Sequence, residues 1–213
     1  MAAILVDTWE ASPTANETSL IIPDGCRDLI LTQRKGERPY WHVSPLFERT
    51  RPILSVSGSR LKGFRLQPGA RINESHLLAS LNNEHDDELT ILDKLNSFAY
   101  LDENTAEAVA CFASGVARVT DAAKRLGVSS RTLQRFTLKA TGQTPSYWLK
   151  LARVRKAARD LYTSTPSVEL AYQHGYSDQA HLCRDIQYWF TLSRSELTRS
   201  TAILGQLEDT TYC

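Results

Sequence analysis

GYSDQAHLCRDI, residues 175–186, decides how the second half of the chain is read. A Gly and an aromatic precede Ser177 and Asp178, two side chains that cap helix starts by accepting a backbone N–H. Leu182 and Ile186, continued by Trp189, fall on one helical face. Gln179, Ala180, His181 and Arg184 fall near the N-terminal end of the others. Just upstream, Leu170 and Ala171 fit a short packed helix that Gly175 ends, because Gly enters the left-handed conformation at little cost. A small-residue helix, a glycine turn and a polar-faced second helix make the helix-turn-helix pattern.

The pattern occurs a second time about fifty residues earlier, in VTDAAKRLGVSSRTLQRFTLKA (119–140). Thr120 reads as an N-cap, Ala122, Ala123 and Leu126 as a packed face, Gly127 and Val128 as the turn, and Ser129 as the next cap. Leu133, Phe136 and Ala140 share a face of the following helix, leaving Ser130, Arg131, Thr132, Gln134 and Arg135 outside it. Arg can donate two bonds to guanine, and Gln can match the donor and acceptor of adenine, so both outer faces suit base edges.

Between the copies, TPSYWLKLARVRKAARDLYTS (144–164) starts with a capping Thr144 and with Pro145 at the first helical position. Tyr147, Leu151, Val154, Ala158 and Leu161 form a continuous stripe, with Lys150, Arg153, Arg155, Lys156 and Arg159 around the rest. Lys150, Arg153 and Lys156 are expected to face solvent or phosphate rather than to read bases. A helix of about 18 residues spans roughly 27 Å. Mounted on such a spacer, two reading helices match major-groove segments about 34 Å apart on one DNA face.

The first eighty residues have a different period. SLII (19–22), CRDLILTQ (26–33), YWHVSPLF (40–47), ILSVSG (53–58) and KGFRLQ (62–67) are short runs bounded by Pro, Gly or Ser, which predicts a small antiparallel sheet or barrel. A helix follows over 86–101, with acidic residues in its first turn as the helix dipole prefers. The fold expected is α+β: a β-rich N-terminal domain with a bridging helix (1–102), an all-α domain with two helix-turn-helix motifs joined by a long helix (103–200), and a tail (201–213).

Charge follows the same division. Residues 1–112 hold 11 Lys/Arg and 16 Asp/Glu, while residues 113–213 hold 14 and 8, so the second half suits a polyanionic partner. No apolar run approaches the length of a membrane span, and MAAILVDTWEAS has no basic segment before its apolar residues, so neither a membrane location nor a secretory signal is expected. Cys26, Cys111, Cys183 and Cys213 make no CxxC pair; Cys111 and Cys183 read as small buried hydrophobes, and Cys213 as exposed. His42, His76 and His85 lack metal-ligand spacing. Asp24 and Asp28 flank a turn, where carboxylates serve structure. No nucleophile elbow or phosphate-binding loop occurs, so no enzyme, metal or cofactor is expected.

AAKRLGVSSRTLQRFTLKATGQTPSYWLKLARVRKAARDL and LAYQHGYSDQAHLCRDIQYWF together resemble the AraC/XylS family of bacterial transcription regulators, over about residues 103–198. The resemblance implies a cytoplasmic, sequence-specific regulator bound to double-stranded promoter DNA. The base-reading positions it implies are Ser130, Arg131, Gln134 and Arg135 in the first copy and Gln179, Ala180, His181 and Arg184 in the second. Ala180 could only touch a thymine methyl. Two departures stand out: Thr191 and Arg194 replace the usual Gly and Pro, which predicts a differently shaped turn, and Leu182 and Ile186 replace a Phe pair.

IIPDGCRDLIL and GFRLQPGA are similar to a short sensor domain of some members, which implies a small-molecule effector or a homodimer. Trp9, Trp41, Phe47 and Phe64 read first as core residues of a small β-domain, and otherwise as the aromatics that would line an effector pocket. RNA polymerase is a further partner the resemblance implies. The other reading is a non-enzymatic interaction protein that regulates by pairing with another regulator, with weak DNA binding of its own.

Overall fold

The computed structural model describes residues 4–82, 86–163, 165–209 and 212. The chain divides into two units, each with its own core. One comprises residues up to 19, 26–46 and 52–106, and the other comprises 20–25, 47–51 and 107 onward.

The first unit is built on strands. β1 (Leu5–Ala11), β2 (Glu17–Ile21), β3 (Arg27–Gln33), β4 (Tyr40–Val43), β5 (Arg51–Ser55) and β6 (Arg60–Leu66) precede the first helix. The main sheet has the order β1-β6-β3-β4, antiparallel throughout, and β2 and β5 pair separately. Register places Leu29 opposite Phe64 and opposite Val43. Side chains alternate across a strand, so Leu29, Phe64 and Leu66 turn to one face, where they are fully buried. β7 (Arg71–Ile72), α1 (Glu74–Ser80), α2 (Glu88–Phe98) and β8 (Ala99–Tyr100) complete the unit, with Leu77, Ile91 and Leu95 in the same core.

Several sequence expectations change here. β1 (LVDTWEA) is absent from the predicted strands, although SPTAN (12–16) bounds it as turn residues bound its neighbours. α1 interrupts a region whose period reads as β, and α2 stops at Phe98, where the chain turns into the β7–β8 pair. α2 also packs into the core of this unit through Ile91 and Leu95.

The second unit is helical: α3 (Glu103–Ala113, whose first turn lies in the sheet unit), α4 (Val119–Arg125), α5 (Ser130–Thr141), α6 (Pro145–Asp160), α7 (Ser167–Gln173), α8 (Gln179–Phe190), α9 (Arg194–Leu197) and α10 (Thr201–Glu208). α6 is its axis, and α4, α5, α7, α8 and α10 all pack on it. The stripe read from the sequence is buried at Leu151, Val154, Ala158 and Leu161, alongside Trp148, Ala152 and Ala157. Thr144 caps α6 by accepting the Tyr147 N–H, and Pro145 occupies N1 as expected.

Arg155 corrects the sequence reading. It is not on the solvent side of α6 but only 1% exposed, because carbonyls from distant chain segments converge on its guanidinium. The segments at 20–25 and 47–51 pack with the helices. Ile22 sits in the helical core, and its N–H donates to Gln206 Oε1 at 3.0 Å. The Thr50 N–H donates to the Trp189 carbonyl at 3.0 Å, and the Arg49 guanidinium lies 3.9 Å from the centre of the Tyr188 ring. The stretch after residue 200 includes α10 and adds Ile203, Leu207 and Tyr212 to the core.

Candidate nucleic-acid interface

α4 and α5 form the first helix pair. Ala122 and Ala123 are buried, and small side chains there let α4 approach its neighbours closely. Gly127, at φ +68, reverses the chain after α4. Thr120 does not cap this helix: α4 begins one residue earlier, at Val119, with Arg118 in the cap position and no side-chain bond there. Ser129 does cap α5, accepting the Thr132 N–H at 3.1 Å. Leu133, Thr137 and Ala140 are buried and Phe136 is half-buried against the core. Arg131, Gln134 and Arg135 are exposed, and Ser130 is half-buried.

α7 and α8 repeat the arrangement. Leu170 and Ala171 are buried, Gly175 has φ +70, and Asp178 caps α8 by accepting the His181 N–H at 2.7 Å. That bond, with one from Ser177 Oγ, holds the Asp178 carboxyl below the usual carboxylate range. Leu182, Ile186, Trp189 and Phe190 face inward. Gln179, Ala180 and Arg184 face solvent.

His181 differs from its companions. It is half-buried, edge-on to Tyr176 at 5.1 Å between ring centres, with Nδ1 3.2 Å from Ser177 Oγ. Its ring therefore helps to fix the start of α8. The side chains of Arg131, Gln134, Arg135, Gln179 and Arg184 make no hydrogen bond or ion pair with other described residues.

Arg153 holds α8 on α6. Its guanidinium pairs with Asp185 at 2.9 Å and lies 4.3 Å from the centre of the buried Tyr176 ring. The sequence pattern places it with solvent-facing cations, because partners 23 and 32 residues away leave no periodic mark. Lys156 is likewise occupied, donating to the Ala113 carbonyl at 2.5 Å. Cys26 and Cys111 are buried, while Cys183 is half-buried rather than enclosed. Cys213 and His85 lie outside the described residues.

α8 ends at Thr191, the one non-glycine described residue with positive φ (55°). The chain thus takes the left-handed turn that a Gly would take there, and the Thr191 N–H still closes on the Gln187 carbonyl. α9 starts normally behind Ser193, whose hydroxyl and the Glu196 side chain form a reciprocal capping box. A β-branched residue in the left-handed region is strained. Thr191→Gly is therefore expected to raise stability by about 1 kcal/mol, read as a higher urea midpoint at unchanged m-value. A lower midpoint would show that the Thr191 contacts outweigh the strain.

The four aromatics considered for an effector pocket divide between the two units. Phe64 is core, and Trp41 packs against it with ring centres 6.1 Å apart. Trp9 lies over Gly63 on the opposite sheet face, and Phe47 belongs to the helical unit. Burial lowers the pKa of His42. His76 Nδ1 is 2.9 Å from Asn73 Oδ1. Among the described residues, no three His, Cys, Asp or Glu side chains are grouped to hold a metal, and no helix is long and apolar enough to cross a membrane.

Residues 122–200 match the family model of a helix-turn-helix domain. No curated protein matches the sequence significantly. Among solved structures, the chain is similar to a transcriptional regulator from Chromobacterium violaceum described by its AraC-type DNA-binding domain. The two share 28% identity over 45% of this chain and 89% of the other, with a TM-score of 0.41. The C-terminal domain of AraT, a response regulator from Geobacillus stearothermophilus, shares 24% identity over 46% and 86%, with a TM-score of 0.42. ToxT from Vibrio cholerae shares 9% identity over 92% and 98%, with a TM-score of 0.47.

Proposed function

We propose that this chain, whose residues 122–200 match a helix-turn-helix domain, is a sequence-specific, DNA-binding transcription regulator of the AraC type that reads two successive major-groove segments. The observation that carries the reading is the pair of exposed polar rows, Arg131, Gln134 and Arg135 on α5 and Gln179 and Arg184 on α8. Each lies at the start of the second helix of a glycine-turned pair, and both pairs are packed on α6. Side chains not hydrogen-bonded or ion-paired with other described residues lose little on turning to base edges, and a rigid spacer fixes the distance between the two readings. Ser130 and Ala180 flank these rows as closer contacts, and His181 acts through the α8 start.

In this reading the chain works in the cytoplasm, without catalysis and without a cofactor. Promoter DNA is its main partner, and RNA polymerase is the machinery it addresses. The β-rich unit restrains or releases binding through a small-molecule effector or a second copy of the chain.

Selection of bound fragments from sheared genomic DNA at physiological salt tests this. The expected result is a motif in two blocks about one helical turn apart. Gln134→Ala and Arg184→Ala should each cost about 1–3 kcal/mol at the matched site and relax preference at one base pair. An equal loss on all sequences would make the residue a phosphate contact. No enriched motif would favour the interaction-protein reading instead.

A further inference from the structure

The outer surface of α6 is not uniform. A groove of about 490 Å³ runs beside it, bounded by the loop between α3 and α4 and by the end of α7. Its floor is apolar, made by Phe112, Leu149 and Ala152, all buried or nearly so. Its rim is cationic, with Arg118, Lys150, Arg153 and Lys156, and among the described residues no Asp or Glu lines it.

These cations are not equivalent. Arg153 is neutralised by Asp185, and Lys156 is held by the Ala113 carbonyl. Arg118 and Lys150 are exposed, and neither side chain makes a hydrogen bond or ion pair with another described residue. Arg118 stands at the start of the first helix pair, and Gly175, at the other side of the groove, is the turn of the second.

Resting on the DNA-binding reading above, the geometry points to this groove as a clamp for the DNA backbone between the two major-groove segments, with Arg118 and Lys150 each facing a phosphate. A strand that passes from one reading helix to the next must cross the surface between the two pairs, and Arg118 and Lys150 offer it two cations not ion-paired with other described residues. Such contacts fix register and carry no sequence information. The dry floor beneath the rim keeps competing water away from one side of each ion pair. The rim cations therefore strengthen binding to every sequence, and the rows on α5 and α8 choose among sequences.

The test is the salt dependence of binding by the full chain to a matched and a scrambled duplex, for the wild type and for Arg118→Gln/Lys150→Gln. Each phosphate contact adds about 0.9 to the slope of log K against log salt. The double variant should therefore show a slope shallower by about 2, with affinity for both duplexes reduced by the same factor and base preference intact. An unchanged slope overturns the clamp. So does an unchanged slope together with decanoate raising the melting temperature of the wild type but not of the variant, which would make the groove a site for small amphiphilic anions. If the wild type shows no sequence preference, the base-reading proposal fails, yet the slope difference still decides the clamp. Both substituted residues are exposed, so unchanged melting temperatures are expected and separate lost contacts from lost folding.

Discussion

Arg155→Ala should lower the stability of the helical unit by about 3–5 kcal/mol, a large share of what a domain of this size has. The guanidinium donates from Nε to the Tyr212 carbonyl at 3.2 Å and from Nη1 to the Pro23 carbonyl at 3.1 Å. Nη2 reaches the carbonyls of Gln206 at 3.0 Å and Asp209 at 3.1 Å. Truncation leaves a cavity beside α6 and removes the shared donor from four carbonyls at once. A buried polar group left without a partner costs about 1–3 kcal/mol, and water entering the cavity recovers part of that.

Arg155→Lys keeps the charge but has three donors at one point instead of a planar fork, so about half the loss should remain. Urea unfolding of the full chain measures both. A loss under about 1 kcal/mol for the Ala variant would mean that the carbonyls find other donors and that the hub is dispensable. By the same reasoning, a fragment of residues 103–213 lacks Pro23 and Ile22 and should unfold at lower urea than the helical unit in the intact chain. Its DNA binding should be compared with the full chain under conditions where both are folded.

Gly63→Ala should cost about 3 kcal/mol in the sheet unit. A Cβ built on Gly63 would lie 2.0 Å from Cε2 of the Trp9 indole. Gly63 is opposite Trp9 on β1 and opposite Ile30 on β3, so the backbone is held from both sides and the indole must move instead. Moving it breaks the 3.0 Å bond from Trp9 Nε1 to Asp28 Oδ1. Overpacking of this kind costs about 1–3 kcal/mol, and a lost hydrogen bond adds about 1. A double-mutant cycle locates the effect: in a Trp9→Ala background the Gly63→Ala cost should fall below about 1 kcal/mol. Equal costs in both backgrounds would place the strain in the backbone rather than against the indole.

The helix pairs were legible because their signals are local. Ser129, Asp178 and Thr144 cap helices within three residues, Gly127 and Gly175 reverse the chain where it must reverse, and the α6 stripe repeats at the helical period. Solvent exposure of the rows on α5 and α8 follows from the same periodicity. What the sequence hid depends on partners far along the chain. An Arg at position 155 looks like any surface cation until carbonyls from 51 to 132 residues away close on it. Arg153 is hidden in the same way by Asp185 and Tyr176. Nothing periodic announces that residues 20–25 and 47–51 pack with the helices, or that LVDTWEA pairs with a strand more than fifty residues later. Gly63 reads as a strand weak point, and only the register shows which ring needs the space.

The segment around Ile22 also sets an order of events during folding. Within the helical unit α4 packs on α5, α5 on α6, α6 on α7 and α7 on α8, each on its neighbour in the chain, and such contacts form quickly. The bonds between Ile22 or Leu20 and Gln206 close loops of 184 and 186 residues, and these are slow to find. The helices therefore assemble first and the early segment arrives late, so refolding should show a fast phase in helical content followed by a slower one in which the Arg155 hub becomes protected from solvent.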